Sequence, residues 1–277
     1  MQEAAAQKSG REKVFADNRS VGRIALSVAA AGAMTRRRQV YEDGPLRIRF
    51  PNSGEHALEA MIVNTAGGIA GGDRHDIDIA VGEGANLGVT TAAAEKIYRA
   101  LGPESEIAVK LAVGSGARLT WLPQETILFN RARLKRSIDV NLAPEASLIM
   151  AEAAVFGRAA MGEAVEEGAF ADRWRVGRGG RLVFAENLRL NGAISDKLAE
   201  TAVASDGVAV ATVLAVPGDQ AMADRARAQT FCGDVGISAW NGLAVARLCA
   251  KDSAALRRDL ATVVASLGGA LPRLWLN

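Results

Sequence analysis

Ile107-Ala108-Val109-Lys110-Leu111-Ala112-Val113-Gly114-Ser115-Gly116-Ala117-Arg118-Leu119 is the stretch that decides the fold. Its first seven residues alternate large apolar with small or polar side chains, the period of a strand that buries one face. Gly114-Ser115-Gly116 then turns the chain. A small residue, a variable one and a leucine open the next strand. The same phrase occurs elsewhere. His75 to Val81 alternates and runs into Gly82-Glu83-Gly84-Ala85-Asn86-Leu87. Ile138 to Leu142 alternates and runs into Ala143-Pro144-Glu145-Ala146-Ser147-Leu148. A fainter fourth copy is Gly177-Arg178-Gly179-Gly180-Arg181-Leu182. The leucines at 87, 119, 148 and 182 lie about thirty residues apart, a spacing typical of coils stacked on one another. The chain is therefore expected to be mainly β. Stacked strands in an irregular β-solenoid fit the pattern, and so does an ordinary sandwich with similar hairpins.

Outward from this centre, Ile24, Leu26 and Val28 alternate with smaller residues as in a half-buried strand. Helices are few, about two, and belong to the C-terminal part. Between Ser253 and Leu267, the residues Leu256, Leu260, Val263, Val264 and Leu267 form one apolar stripe. Asp252 or Ser253 suits its N-cap and Gly268 its end. A shorter helix is expected from Asp219 to Ala228, and Val235 to Leu248 reads as a hairpin around Asn241-Gly242. Polar residues 1–13 read as a loose tail, and 14–277 as one unit. Its β-rich body extends to about residue 215, with an α/β portion over 216–277.

Composition narrows the function. The chain has 277 residues, of which 49% are hydrophobic, and this excludes disorder. Lys and Arg number 33 against 31 Asp and Glu, so the net charge of +2 makes no case for nucleic acid. Arg36-Arg37-Arg38 and the group Arg131, Arg133, Lys135 and Arg136 read as solvated faces. No run reaches the length of a membrane span, and the arginines after Met34 reverse a secretory signal's charge order. A cytoplasmic protein is expected, with Cys232 and Cys249 reduced. The scattered His56, His75, Cys232 and Cys249 have no metal-ligand spacing.

Four stretches remain as candidates for chemistry. Gly67-Gly68-Ile69-Ala70-Gly71-Gly72-Asp73 lets the backbone approach closely, yet an alternating strand follows it where a nucleotide fold needs a helix. A structural turn is the better reading. Glu95-Lys96-Ile97-Tyr98-Arg99, Trp121-Leu122-Pro123-Gln124-Glu125, and Glu152 to Arg158 followed by Gly162-Glu163 are the others. Glu95, Glu125, Glu152, Glu163 and Glu186 lie in apolar surroundings. A carboxylate there is paired with arginine or faces a watered channel. Neither a nucleophile elbow nor an assembled catalytic set is recognisable, so no enzyme is expected. A β-solenoid that binds or processes carbohydrate is the alternative class, although 4 Trp and 2 Tyr are few for sugar stacking.

Taken in order, these motifs and the closing Pro272-Arg273-Leu274-Trp275 resemble the urease accessory protein UreD family, called UreH in some organisms. The resemblance runs from roughly residue 20 to 277. It implies a mainly β maturation factor that is not an enzyme and holds no cofactor tightly. Its implied partners are the urease apoprotein, the accessory protein UreF and, through it, the GTPase UreG, with room for a homodimer inside that complex. It also implies that acidic residues lining an internal tunnel pass nickel in transit. The matching positions are Asp73, Glu152 and Glu186. Glu95 departs from the family, where a small or hydroxyl residue is usual, and Ala66 stands where proline is common. The chemistry is coherent. Oxygen ligands hold Ni²⁺ less tightly than imidazole or thiolate, and a transit route must not become a trap.

Overall fold

The computed structural model describes residues 19–51, 57–158 and 161–275. His56 and the expected tail over 1–13 lie outside that range. Two sheets face one another. The first contains β1 (Val21–Ala31), β2 (Met34–Asp43), β5 (Arg74–Val81), β8 (Ser105–Val113), β11 (Arg133–Leu142), β13 (Gly168–Arg178) and β14 (Arg181–Gly192). Its spatial order is β14-β13-β11-β8-β5-β1-β2. The second contains β3 (Leu46–Arg49), β4 (Leu58–Asn64), β6 (Asn86–Thr91), β9 (Arg118–Trp121), β12 (Ser147–Phe156), β15 (Ala209–Val216), β16 (Asp234–Trp240) and β17 (Leu243–Ala250). Here the order is β16-β17-β15-β12-β9-β6-β4-β3. Short β7 (Glu95–Ile97) and β10 (Thr126–Leu128) extend this sheet beside β12.

Short turns, at Gly82-Glu83-Gly84, Gly114-Ser115-Gly116 and Ala143-Pro144-Glu145-Ala146, carry the chain from one sheet to the other. β5 leads to β6, β8 to β9 and β11 to β12, so each coil stacks in parallel on the last. This is the solenoid-like stacking, not the hairpin sandwich. Leu58, Leu87, Leu119 and Leu148 lie in one register row across the second sheet. The fourth expected leucine fails. Gly179 and Gly180, at φ +57° and +77°, form a two-residue turn that returns β14 antiparallel to β13. Leu182 is 53% exposed there, and Leu58 takes the fourth place in the row.

The inward faces of the two sheets form the main core, around Ile24, Leu26, Ile79, Leu87, Leu111, Leu119 and Leu148. Among the described residues three α-helices are present: α1 (Ile194–Ala199), α2 (Gln220–Arg227) and α3 (Ser253–Ser266). The last two are the C-terminal pair expected, and α1 is an addition. Asp219 and Asp252 cap them by accepting the Met222 and Ala255 amides, both at 2.7 Å. α3 packs on the outer face of β15 and β17, forming a second apolar cluster around Leu256, Leu260, Val263 and Val264. Asn241 and Gly242 both have positive φ in the β16–β17 hairpin. Among the described residues no helix is long and apolar enough to cross a membrane.

Candidate functional site

Past the leucine row, the facing sheets exchange apolar side chains for charged ones. Along β12 the inward positions read Leu148, Met150, Glu152, Ala154 and Phe156. Period-2 alternation thus forces Glu152 inward with its neighbours. On β13 Asp172 sits between inward Phe170 and Trp174. On β11 Arg136 sits between inward Leu134 and Ile138. Register then aligns them. Arg136 pairs across to Asp172 in the first sheet, and Glu152, Thr212 and Arg247 form a row across the second.

The three charged groups make one buried network. Arg136 donates from Nε and Nη2 to the two oxygens of Asp172, at 2.9 and 2.6 Å. Its Nη1 donates to Glu152 Oε2 and also to Thr126 Oγ1. Trp121 Nε1 donates to Glu152 Oε1 at 2.7 Å, and Trp174 Nε1 to Asp172 Oδ2 at 3.1 Å. Burial pushes the Glu152 carboxyl up, and the Arg136 guanidinium opposes that push. Burial alone would depress Arg136, but Asp172 and Glu152 outweigh it and hold the arginine charged.

A cavity of about 520 Å³ opens onto this network. Glu186 lines it as well, held by Arg247 Nη2 at 2.8 Å. Glu152, Asp172, Glu186 and Asp234 supply four carboxylates to its wall, against the guanidinium groups of Arg136 and Arg247. Leu188, Leu190, Leu198 and Val210 form much of the apolar remainder. Two of the three expected path residues, Glu152 and Glu186, therefore meet in one cavity. Asp73 is not among the residues lining it. Its carboxylate accepts the Ser20 and Ala70 amides at 2.9 and 2.8 Å and holds the glycine turn closed. Among the described residues no three His, Cys, Asp or Glu side chains are grouped to hold a metal ion.

The arginine partners differ from expectation. Arg131, Arg133 and Lys135 are exposed as expected of a solvated face, but Arg136 is 4% exposed. It was discernible, because its i±2 neighbours are Leu134 and Ile138. The same test identifies Asp172 between Phe170 and Trp174, and Arg247 between Val245 and Cys249. Composition-level reading missed all three.

The remaining motif residues build two contact chains. In the first, the Tyr98 hydroxyl donates to Gly67 O at 3.0 Å, and its ring meets Phe129 edge-on at 5.2 Å. A Cβ on Gly68 would strike that tyrosine ring. Arg158 lies 4.2 Å over Phe129 and forks onto Glu163 at 2.6 and 3.1 Å. That bond holds Glu163 below the usual carboxylate range. Gly157, at φ +93°, lets the chain pass so close that a Cβ would lie 2.2 Å from Glu163 O. Gly162 has positive φ in the same turn; Gly71 and Gly72 pack against Ala100 and Pro103. Lys96 is exposed on β7, and Arg99 bridges to Ala132. In the second chain, Arg257 of α3 donates to Gln124 and to Glu125 Oε1, the latter at 3.0 Å, after Pro123 ends β9. It also donates to Leu274 O, while Trp275 Nε1 reaches Leu122 O. Three of the four tryptophans are thus buried with internal partners, and Trp240 is the exposed one.

Fold and cavity together define the class, a layered β-solenoid-like protein with a charged pocket between its sheets. Comparison with family models matches residues 20–276 to "UreD urease accessory protein". The urease accessory protein UreD of Bradyrhizobium diazoefficiens is 55% identical over 266 residues, covering 95% of this chain and 96% of that protein. That of Rhodopseudomonas palustris strain BisB18 is 56% identical over 267 residues, covering 95% and 96%. The chain belongs to the UreD urease accessory protein family.

Proposed function

We propose that this chain is a cytoplasmic urease maturation factor. It acts without catalysis, as a scaffold that binds the urease apoprotein and UreF, and UreG through UreF. It helps nickel reach the urease active site along carboxylates of its internal cavity. The observation that carries this reading is the convergence of Glu152 and Glu186 on one cavity, joined there by Asp172. Family membership supports the urease role. Its carboxylate wall supports a hard-ligand route for a divalent cation. Asp73 acts on this reading as a turn brace and not as part of the path.

The test substitutes Glu152→Gln together with Glu186→Gln. Alanine at Glu152 would leave Arg136 with one buried partner and a cavity, a loss of roughly 3–5 kcal/mol that confuses folding with transit. Glutamine keeps an acceptor for Trp121. Urease co-expressed with the double variant is expected to contain less nickel and show lower activity, while the accessory complex still co-purifies. Full nickel content in that urease would refute the path; loss of the complex even with the parental chain would refute the scaffold.

A further inference from the structure

Four exposed cations gather on the outward face of the seven-stranded sheet around β13: Arg133 and Lys135 of β11, Arg173 of β13 and Arg189 of β14. Register sets them in rows. Arg133 stands abreast of Ala169 and Asn191, and Lys135 abreast of Ala171 and Arg189. In the next row Arg173 stands beside Asn187. Between these longer side chains lies a trough of about 630 Å³, in whose lining Glu104 is the only carboxylate. Towards β1 the same face is neutralised pair by pair. Arg23 meets Asp78 at 3.5 Å, and Arg74 meets Asp76 at 3.1 Å. At the trough the balance fails. Lys135 reaches Glu106 at 3.7 Å and Arg173 reaches Asp139 at 3.2 Å, both exposed pairs of little strength. Arg133 and Arg189 have no acidic partner among the described residues. Residues 1–18 carry three acids against three bases, so they do not supply the balancing charge.

The proportions of the trough select its occupant. Strand β11 covers about 13 Å from Arg133 to Ser137, and β11 and β14 stand about 10 Å apart. An extended peptide fits along that space over Ala169 and Ala171, its successive side chains leaning towards opposite walls. Acidic side chains then meet Arg133 and Lys135 on one side and Arg189 on the other. Asn187 and Asn191, each two residues from Arg189, offer the peptide main chain both a donor and an acceptor. A fully ionised small anion has no use for the acceptor. We propose that this trough docks an extended acidic segment of another protein. It lies on the outer face of its sheet, whereas the carboxylate cavity lies between the sheets, so the docking is independent of the nickel path.

The probe is fluorescein-labelled hexaglutamate, titrated against the full-length chain at low ionic strength. It is expected to bind, and to be released as salt rises. Arg133→Ala combined with Arg189→Ala should weaken it roughly tenfold. Asn187→Ala combined with Asn191→Ala should weaken it by a smaller factor. All four residues are exposed, so the melting temperature should not change. Arg36→Ala, exposed on β2 and remote from the trough, should leave binding unchanged. No binding by the parental chain overturns the proposal, and so does full binding by either combined variant. An equal loss in the Arg36 variant overturns it too, since overall charge would then explain the attraction. Displacement of the peptide by tripolyphosphate at equal or lower concentration also overturns it, because the trough would then be a phosphate site.

Discussion

Glu95 accepts a hydrogen bond from Asn64 Nδ2 at 3.0 Å in a largely buried position. Burial pushes its carboxyl up to about 7, against the smaller pull of the Asn64 bond. The unfolded chain loses this proton near 4.5, and the folded chain holds it until about 7. In that window the folded state binds more protons, so stability falls as pH rises and levels off above the folded value. The full loss is on the order of 3 kcal/mol. Glu95→Gln keeps the acceptor and removes the charge. Its melting temperature should exceed the parent's by several degrees near pH 8 and match it near pH 4. A pH-independent difference would exclude this account. The sequence marked Glu95 as odd, since the resemblance leads one to expect a small or hydroxyl residue. Its burial depends on which coil lies beside β7, and that is not a local property.

At the scale of elements, α3 does more than cover β15 and β17. Through Arg257 it ties the turn after β9 to the closing Pro272-Arg273-Leu274-Trp275. The guanidinium lies 5.3 Å over the Trp275 ring as well. Arg257→Ala removes a charge-assisted bond to Glu125 and the anchor of the last turn. We expect a loss of about 2 kcal/mol and faster proteolysis at the C-terminus, with Arg257→Lys rescuing little because it lacks the planar fork. Equal proteolysis of parent and variant would show that Trp275 holds the segment unaided. The helix itself was legible, because the apolar stripe and the Asp252 cap are local signals. The misplaced repeat at 177–182 was legible too, on a finer reading. Two of the coil turns spell Gly-X-Gly and the third Ala-Pro-Glu-Ala, whereas adjacent Gly179-Gly180 is the signature of a hairpin.

Over the whole molecule, stability is shared along the stack, since each coil buries its face on the next. Leu119 lies mid-row and is 1% exposed, against 53% for Leu182 in the hairpin. Leu119→Ala should cost roughly 2–5 kcal/mol in denaturant unfolding, and Leu182→Ala less than about 0.5. Comparable losses would mean that the row is not the backbone of the core. The glycine turns, the strand period and the ordered motifs were determined by the sequence alone. Each follows from φ preference and side-chain alternation over a few residues, which neighbours cannot change. Alternation even shows that Arg136, Glu152, Asp172 and Glu186 point inward. Which charge meets which is a different matter. Arg136 joins Glu152 and Asp172, and Arg247 joins Glu186, only because parallel stacking sets β11 beside β13 and closes β14 over β17. Buried charges must be paired, but the sequence offers many arginines, and only the tertiary structure chose among them and left a cavity where they meet.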